Sequence, residues 1–469
     1  MQKVFVKNLG CKVNQYDSTA LSTQFQSRGY ESSSTAENAD ITILNTCSVT
    51  AQAEREARYL IRRYRRENPH SKIIVTGCYA QTDSAALVEM TEVDLVVPND
   101  SKHELAASVD ALVKSERDFG LQIAHKFLGK TSSPISENRQ THFKSSTTLF
   151  AEAETEQTRA FLKIQDGCNN FCSYCLIPYA RGASRSVPKR DVLAEIQRLA
   201  SQSYPEIVLT GIHIGDYGQE HLRETAHPSL GVGSTTPIVE LLEEAIATTP
   251  NLPLIRISSL EPSELSDSLV ALLKKYPDHF CYHFHLPLQS GSNKILKLMR
   301  REYSAEEYAE KIATLRKELG QISVGADVIP GFPGEDDEDH KESCDFIRSL
   351  GLSYLHVFPY SKRPNTAALR MPGHLSPEVI KARAKELRDL SEELSLNFQR
   401  SLLGTIQRVI WEKSIDKQGR RIGRSSLYAE VVAPSGFLPV PGTVDFVRIK
   451  GIAEDKRLLG ISLKNPATV

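Results

Sequence analysis

A chain of 469 residues is too long for one simple domain and allows two or three. Its 40% hydrophobic and 25% charged content is ordinary for a soluble globular protein, and no apolar run approaches membrane-span length. A formal net charge of −1 excludes a global field for a polyanionic partner, so any nucleic-acid surface must be local.

The first region covers residues 1–114. Its opening residues read as a strand and not as a signal peptide. Strand patterns fall at Lys3–Lys7, Asp40–Leu44, Lys72–Val75 and Leu95–Val97, with helical patterns between them. That alternation predicts an α/β fold with a doubly wound parallel sheet. The helix expected over Glu54–Glu67 carries Arg55, Arg58, Arg62, Arg63, Arg65 and Arg66. Arg55, Arg58, Arg62 and Arg65 or Arg66 recur every three to four residues and share one face. Such a stripe is either a solvated helix face or a phosphate-contacting surface.

Cys11, Cys47 and Cys78 each lie just past the C-terminal end of a predicted strand. Strand C-termini of an open parallel sheet converge on one edge, where ligands bind. Three thiolates on that edge could serve one metal centre, although each taken singly reads as a buried core cysteine. Gly10 and Gly77 give the backbone room beside two of them.

A polar segment, residues 115–158, reads as a connection and linker. From 159 to 400, strand patterns recur at Ala160–Ile164, Ile207–Leu209, Leu254–Ile257, His283–Leu286, Ser323–Val328 and Tyr354–Phe358. Helical patterns alternate with them at Lys189–Ala200, Pro237–Ala247, Glu264–Lys275, Ala305–Leu319, Glu335–Leu350 and Ser376–Leu402. Six strand–helix units fit an incomplete (β/α)6 barrel better than a full eight-unit one.

Residues 401–469 read as short strands at Thr405–Glu412, Ser426–Val432, Thr443–Ile452 and Leu458–Leu463, the pattern of a small closed β-barrel. Eleven basic residues against six acidic ones give this region a local positive excess.

The densest chemistry is the run Asp166-Gly167-Cys168-Asn169-Asn170-Phe171-Cys172-Ser173-Tyr174-Cys175. A Cys-x3-Cys-x2-Cys spacing offers three thiolates and no nearby fourth. Iron–sulfur cubanes normally take four thiolates, so one iron would keep an open site. Zinc sites pair two clips, and no second clip follows. Three close cysteines cannot pair evenly as disulfides, and a structural-thiol reading remains. Eight cysteines without an export signal point to a reducing, cytoplasmic setting. Cys281 and Cys344 look like small buried hydrophobes.

Cys168, Cys172 and Cys175 match the signature of radical S-adenosylmethionine (SAM) enzymes. Gly10-Cys11-Lys12-Val13-Asn14-Gln15, Asn45-Thr46-Cys47 and Thr76-Gly77-Cys78 resemble the N-terminal domain of methylthiotransferases. The resemblance extends, in family order, from an auxiliary-cluster domain (1–114) through a radical SAM barrel (159–400) to a TRAM RNA-binding barrel (401–469). It implies two [4Fe-4S] clusters, one on Cys168, Cys172 and Cys175 and one on Cys11, Cys47 and Cys78, and SAM as both radical source and methyl donor. It implies that a methylthio group is added to C2 of an adenosine in a tRNA anticodon loop. An electron donor such as flavodoxin or ferredoxin is implied as well, and no membrane partner.

Arg256-Ile257-Ser258-Ser259-Leu260-Glu261-Pro262 and Val357-Phe358-Pro359-Tyr360-Ser361-Lys362-Arg363 carry a likeness to the branch that modifies N6-threonylcarbamoyladenosine. Sister branches modify isopentenyl-adenosine or a ribosomal-protein aspartate. A non-catalytic iron–sulfur RNA-binding protein is the alternative of a different class. The turn Asp327-Val328-Ile329-Pro330-Gly331-Phe332-Pro333-Gly334-Glu335 resembles the family's fifth-strand SAM contact, with Pro330 departing from the usual aliphatic residue. Gly211, Ser258, Glu261, Gln289, Gly331 and Gly334 are the expected cofactor contacts, all on strand-end loops, and Arg256, Ser258, Ser259 and Glu261 end the third strand of this region, where they are expected to face the barrel mouth.

Overall fold

A computed structural model describes residues 1–114, 157–219 and 236–463, with side chains described only to Asp110 in the first stretch. The expected linker therefore lies almost wholly outside the described residues. In chain order the first strands are β1 (Lys3–Asn8), β2 (Glu31–Ser32), β3 (Ile41–Thr46), β4 (Lys72–Gly77), β5 (Leu95–Pro98), β6 (Ala160–Lys163), β7 (Gln165–Asp166) and β8 (Arg185–Ser186). They are followed by β9 (Glu206–Thr210), β10 (Leu254–Ile257), β11 (His283–His285), β12 (Ser323–Val328) and β13 (Tyr354–Val357). The last group is β14 (Ile406–Ile415), β15 (Arg421–Ser425), β16 (Glu430–Val432), β17 (Val444–Ile452) and β18 (Leu458–Ser462).

Two compact units emerge. Within the described residues, the first unit holds 1–114 together with 165–187 and 361–369. Its sheet runs β2-β1-β3-β4-β5, all parallel, with β3 buried along its whole length. The apolar residues Ile41, Ile43, Ile74 and Val97 pack against helix Lys12–Gln26, while Leu44, Val75 and Tyr79 pack on the opposite side with Ile61 and Tyr64 of helix Ala51–Glu67. Both faces are covered, as a parallel sheet requires. This strand order reverses direction between β1 and β3, so a crevice opens between the loops that follow those two strands. Cys11 follows β1 and Cys47 follows β3.

The second unit holds the rest. Its parallel strands form two three-stranded sheets, β10-β9-β6 and β11-β12-β13, joined by isolated bridges Ile255↔Phe280 and Ser259↔His285. Six parallel strands thus follow one another in sequence order, each backed by helices, as the incomplete barrel predicts.

The C-terminal strands close in the order β14-β15-β16-β18-β17 around Val409, Trp411, Val431, Val447 and Ile449. The fully buried Trp411 donates its indole N–H to Asp445 Oδ2 at 2.9 Å. The barrel has five strands where four were expected. Ser426–Val432 is not one strand. Tyr428 takes φ +69, and a turn there separates β15 from β16. Strand β15 was missed because its sequence, Arg421-Ile422-Gly423-Arg424-Ser425, has a single apolar side chain.

Much of this region's positive excess is engaged internally. Arg420 bonds Asp416 and Asp455, Arg424 and Arg457 bond Glu430, and Arg421 donates to three backbone carbonyls. Lys413, Lys417 and Lys450 remain exposed. Among the described residues, no helix is long and apolar enough to cross a membrane.

Candidate functional site

Both cysteine triads lie in the first unit. Cys11 is the N-cap of helix Lys12–Gln26, Cys47 follows β3 directly, and Cys78 opens helix Cys78–Thr82 after β4. Gly10 holds φ +102, and a Cβ added there would meet Cys47 Cβ at 2.7 Å and Sγ at 3.0 Å. The Cys11 and Cys47 loops therefore touch, and only glycine permits it. Burial pushes the Cys47 thiol up to about 12, helped by Cys78 and Cys11, while the Val49 N–H and Arg181 pull the other way. Its two neighbouring thiols thus add to the cost of ionising Cys47, a cost that a bound metal removes by deprotonating its ligands. The donor set fits a cluster.

The second triad sits between β7 and helix Ile177–Arg181. Gly167 (φ +75) lets the chain pass against Ala183, and Cys168 N–H donates to Gly182 O at 3.1 Å. Backbone N–H groups of Asn170 and Ile177 point at Cys168 Sγ (3.5 Å) and Cys175 Sγ (3.4 Å). Such donors favour thiolates and tune cluster sulfur. Phe171 takes φ +45 and leaves its ring exposed. Ser173 O accepts from Ala368 N–H at 2.8 Å, one of the ties that bring 361–369 into this unit. Another is the ion pair of Arg363 with Glu54.

A buried polar network joins the two loops. Arg181 is 2% exposed and forks onto Asp166 at 2.9 and 3.1 Å. Its other nitrogen reaches Asn14 Oδ1 and, at 3.3 Å, Asp17 Oδ2. Lys102 bonds Asp17 (3.2 Å) and Asn45 Oδ1 (3.0 Å). Asn14 donates to Leu9 O and Thr46 O, the residues beside the Cys11 and Cys47 loops. Asn99 donates to Ala180 O at 2.9 Å and toward Cys78 Sγ at 3.6 Å. Burial opposes the Arg181 charge, but Asp166, Cys78, Asp17 and Cys11 outweigh it and hold the guanidinium protonated. Arg181, Asp166, Asp17, Asn99 and Lys102 were not singled out from the sequence. Asn14, Asn45 and Asp166 sat inside quoted motifs but were given no role of their own.

The arginine helix is not one open basic face. Arg58 donates to Tyr79 Oη at 2.8 Å, and Arg65 is bound by Glu92 O, Pro69 O, Ser71 O and Asp94. Arg55, Arg62, Arg63 and Arg66 stay exposed, although Arg63 pairs with Glu67.

In the second unit, the expected cofactor contacts all follow the C-ends of β9 to β12. Gly211 follows β9 and Ser258 follows β10. Gln289 takes φ +67 and bridges to β12, donating its N–H to Asp327 O at 2.7 Å. The Glu261 carboxylate is engaged by Arg301, and burial raises its pKa above the ordinary carboxylate value. Gly331 (φ +79) and Gly334 (φ +87) shape the turn after β12. Glu335 builds that turn: its Oε2 accepts from Gly331 N–H (2.6 Å) and Phe332 N–H (3.1 Å), and its Oε1 from Arg383 (3.0 Å). His340 backs it; its own burial opposes the charge, but Cys344, Glu335 and Glu386 raise its pKa to about 10.

Arg256 differs from expectation. It is not a mouth residue but is fully buried in β10, paired with Glu206 at 2.8 Å through two nitrogens. It also donates to Ser425 O and Ser426 O of the C-terminal barrel. Cys281 is buried as expected, and its thiol donates to Glu206 Oε2 at 3.4 Å.

Residues 3–98 match an uncharacterized protein family, UPF0004, and residues 162–347 match the radical SAM superfamily. The threonylcarbamoyladenosine tRNA methylthiotransferase MtaB of Bacillus subtilis is 36% identical, over 92% of this chain and 90% of its own length. That of Aquifex aeolicus is 35% identical over 84% of this chain and 89% of its own. The tRNA-2-methylthio-N(6)-dimethylallyladenosine synthase of Thermodesulfovibrio yellowstonii is 32% identical over 90% of each. Among solved structures, the radical SAM methyltransferase TsrM of Kitasatospora setae aligns with a TM-score of 0.55 at 15% identity, covering 89% of this chain and 80% of that one. The chain belongs to the radical SAM methylthiotransferase family. Membership brings SAM and [4Fe-4S] clusters as cofactors.

Proposed function

We propose that the protein is a tRNA methylthiotransferase that adds a methylthio group to C2 of N6-threonylcarbamoyladenosine beside the anticodon. The observation that carries this reading is two separate cysteine triads in one compact unit, tied by Arg181. One triad alone serves SAM cleavage; a second, with no fourth thiol, offers a place for sulfur. The named relatives support the substrate, since the threonylcarbamoyl enzymes of Bacillus subtilis and Aquifex aeolicus, at 36% and 35%, exceed the 32% of the dimethylallyl enzyme.

Cys168, Cys172 and Cys175 hold one [4Fe-4S] cluster, and Cys11, Cys47 and Cys78 hold the other. When bound there, the clusters and SAM would supply the radical, sulfur and methyl chemistry. The chain's own task is to hold and shield them. Amides of Asn170 and Ile177 donate to Cys168 Sγ and Cys175 Sγ and orient these two ligands. Gly211, Ser258, Glu261, Gln289, Gly331 and Gly334 form the strand-end rim for SAM. The C-terminal barrel acts as a TRAM module holding the tRNA body, through Lys413, Lys417 and Lys450 as phosphate contacts. A cytoplasmic flavodoxin or ferredoxin delivers the electron. We keep domain limits of 1–114, 159–400 and 401–469 along the chain, with 165–187 and 361–369 of the central domain packing in the first unit.

Two experiments test it. Nucleoside mass spectrometry of tRNA from a strain lacking the protein should show threonylcarbamoyladenosine without its methylthio form. An unchanged methylthio level there removes the substrate. In reduced, reconstituted enzyme, Cys172→Ala should abolish 5′-deoxyadenosine formation. Cys47→Ala should retain it yet form no methylthio product. Equal behaviour of the two variants would collapse the division of labour between the triads.

Glu335 gives a further prediction. Glu335→Ala removes the acceptor of two turn amides and should weaken SAM binding by about tenfold, the worth of one or two lost hydrogen bonds. Equilibrium dialysis measures it, and unchanged affinity would detach this turn from SAM.

A further inference from the structure

The sheet β11-β12-β13 presents two unlike faces. Phe284, Val324, Ala326 and Leu355 lie on one face and are buried. The opposite face carries His283, His285, Asp327, Tyr354 and His356, by the two-residue alternation of strands. Glycine makes this arrangement possible. A Cβ at Gly325 would meet the Tyr354 ring at 2.1 Å, so the phenol lies flat across β12. The rings then form a row: His283 and Tyr354 stack at 5.9 Å, and Tyr354 and His356 stand 5.1 Å apart.

One end of the row is closed. Tyr428 stacks on His283 at 4.4 Å, and the guanidiniums of Arg159, Arg256 and Arg424 lie over Tyr428. The other end carries polar groups toward the C-ends of the strands, where barrel enzymes bind substrate. There His285 Nε2 meets Asp327 Oδ1 at 2.9 Å, and the His285 and His356 rings are 5.3 Å apart. One ligand atom from each of His285, Asp327 and His356 lies within 4.8 Å of the others, and His356 is exposed.

We propose that His285, Asp327 and His356 bind the polar N6 substituent of the target adenosine and select a threonylcarbamoyl group over an apolar one. This rests on the substrate reading above and adds the residues that enforce it. A threonylcarbamoyl group offers N–H and O–H donors and a carboxylate. Asp327 can accept from the donors, and an imidazole N–H can donate to the carboxylate. The His285 Nε2 contact at 2.9 Å occupies Asp327 Oδ1, which leaves the other carboxylate oxygen to accept from the ligand's donors. Partly exposed aromatic rings beside the trio suit an unstacked base. An isopentenyl group would cover these polar groups without offering a hydrogen bond, and a hydrogen-bonding site rejects such an analogue strongly.

The test uses cluster-reconstituted enzyme and anticodon stem-loops carrying threonylcarbamoyl-adenosine, isopentenyl-adenosine or plain adenosine. Wild type should bind and turn over the threonylcarbamoyl stem-loop best. His356→Ala should weaken that RNA about tenfold and change the plain one by no more than about twofold. His356→Asn should recover part of the loss. Equal weakening on all three RNAs, or none, overturns the inference while leaving the substrate reading intact. A wild-type preference for isopentenyl overturns both. Visible Co(II) absorption that vanishes in His356→Ala, with RNA discrimination unchanged, would assign the trio to a metal instead.

Discussion

Arg181→Met should destabilise the first unit by about 3 kcal/mol and strip iron from the protein. The magnitude follows from what remains. Removing a buried cation leaves Asp166 and Asp17 desolvated, a change that costs about 3–5 kcal/mol when no partner is left. Here Asp166 keeps Arg185 at 3.2 Å and Asp17 keeps Lys102 at 3.2 Å, so the lower end applies. Arg181→Lys keeps the charge but cannot reach Asp166 on one side and Asn14 with Asp17 on the other through separate nitrogens, and should fall between. Urea unfolding of the apo-protein measures the stability, and iron per chain measures cluster retention. A wild-type midpoint with full iron would show that the network is not what ties the cysteine loops.

Arg256→Met should cost the second unit about 3–5 kcal/mol and reverse the pH dependence of its stability. Burial alone would raise the Glu206 carboxyl, but the Arg256 guanidinium, with Arg159 and the Cys281 thiol, overrides it and holds the pKa below the ordinary 4.5. A lowered folded-state pKa contributes stability above the unfolded value, lost as pH falls through the folded one. Wild type should therefore hold its stability down to about pH 4.5 and weaken below it. Without Arg256, burial dominates and the carboxyl rises. The folded state then binds a proton that the unfolded state does not, so the variant should gain stability as pH falls from about 7 to 5. Urea midpoints across that range decide the sign. Glu206→Gln on top of Arg256→Met should remove the slope, and a slope that persists would point to a different group.

Local features were the ones the sequence disclosed. Strands β3, β4, β10 and β12 announce themselves as short apolar runs bounded by turns, and their observed limits lie within two residues of expectation. Both cysteine triads were legible for the same reason: one is contiguous, and the other repeats a strand-end setting three times. What stayed hidden pairs residues distant in the chain. Arg181 finds Asn14 and Asp17 across 167 and 164 residues, and no periodicity in either segment encodes that meeting. Arg256 was misread because its position near a strand end suggested the mouth, whereas Glu206 on the neighbouring strand fixes it in the interior. The arginine helix failed similarly: spacing places side chains on a face but does not say which backbone carbonyls wait beside Arg65.

The first unit is threaded by three separated stretches of one polypeptide. A fragment cut to begin near residue 159 would retain Cys168, Cys172 and Cys175 yet lack the floor on which Arg181 rests. Its guanidinium would keep Asp166 but lose Asn14 and Asp17, and the cysteine loop would lose its tie to the sheet. Attempts to excise a minimal SAM-cleaving module from this polypeptide should therefore carry the amino-terminal sheet along. Because both triads belong to a single compact unit, a change that loosens its sheet should disturb the two cysteine sets together.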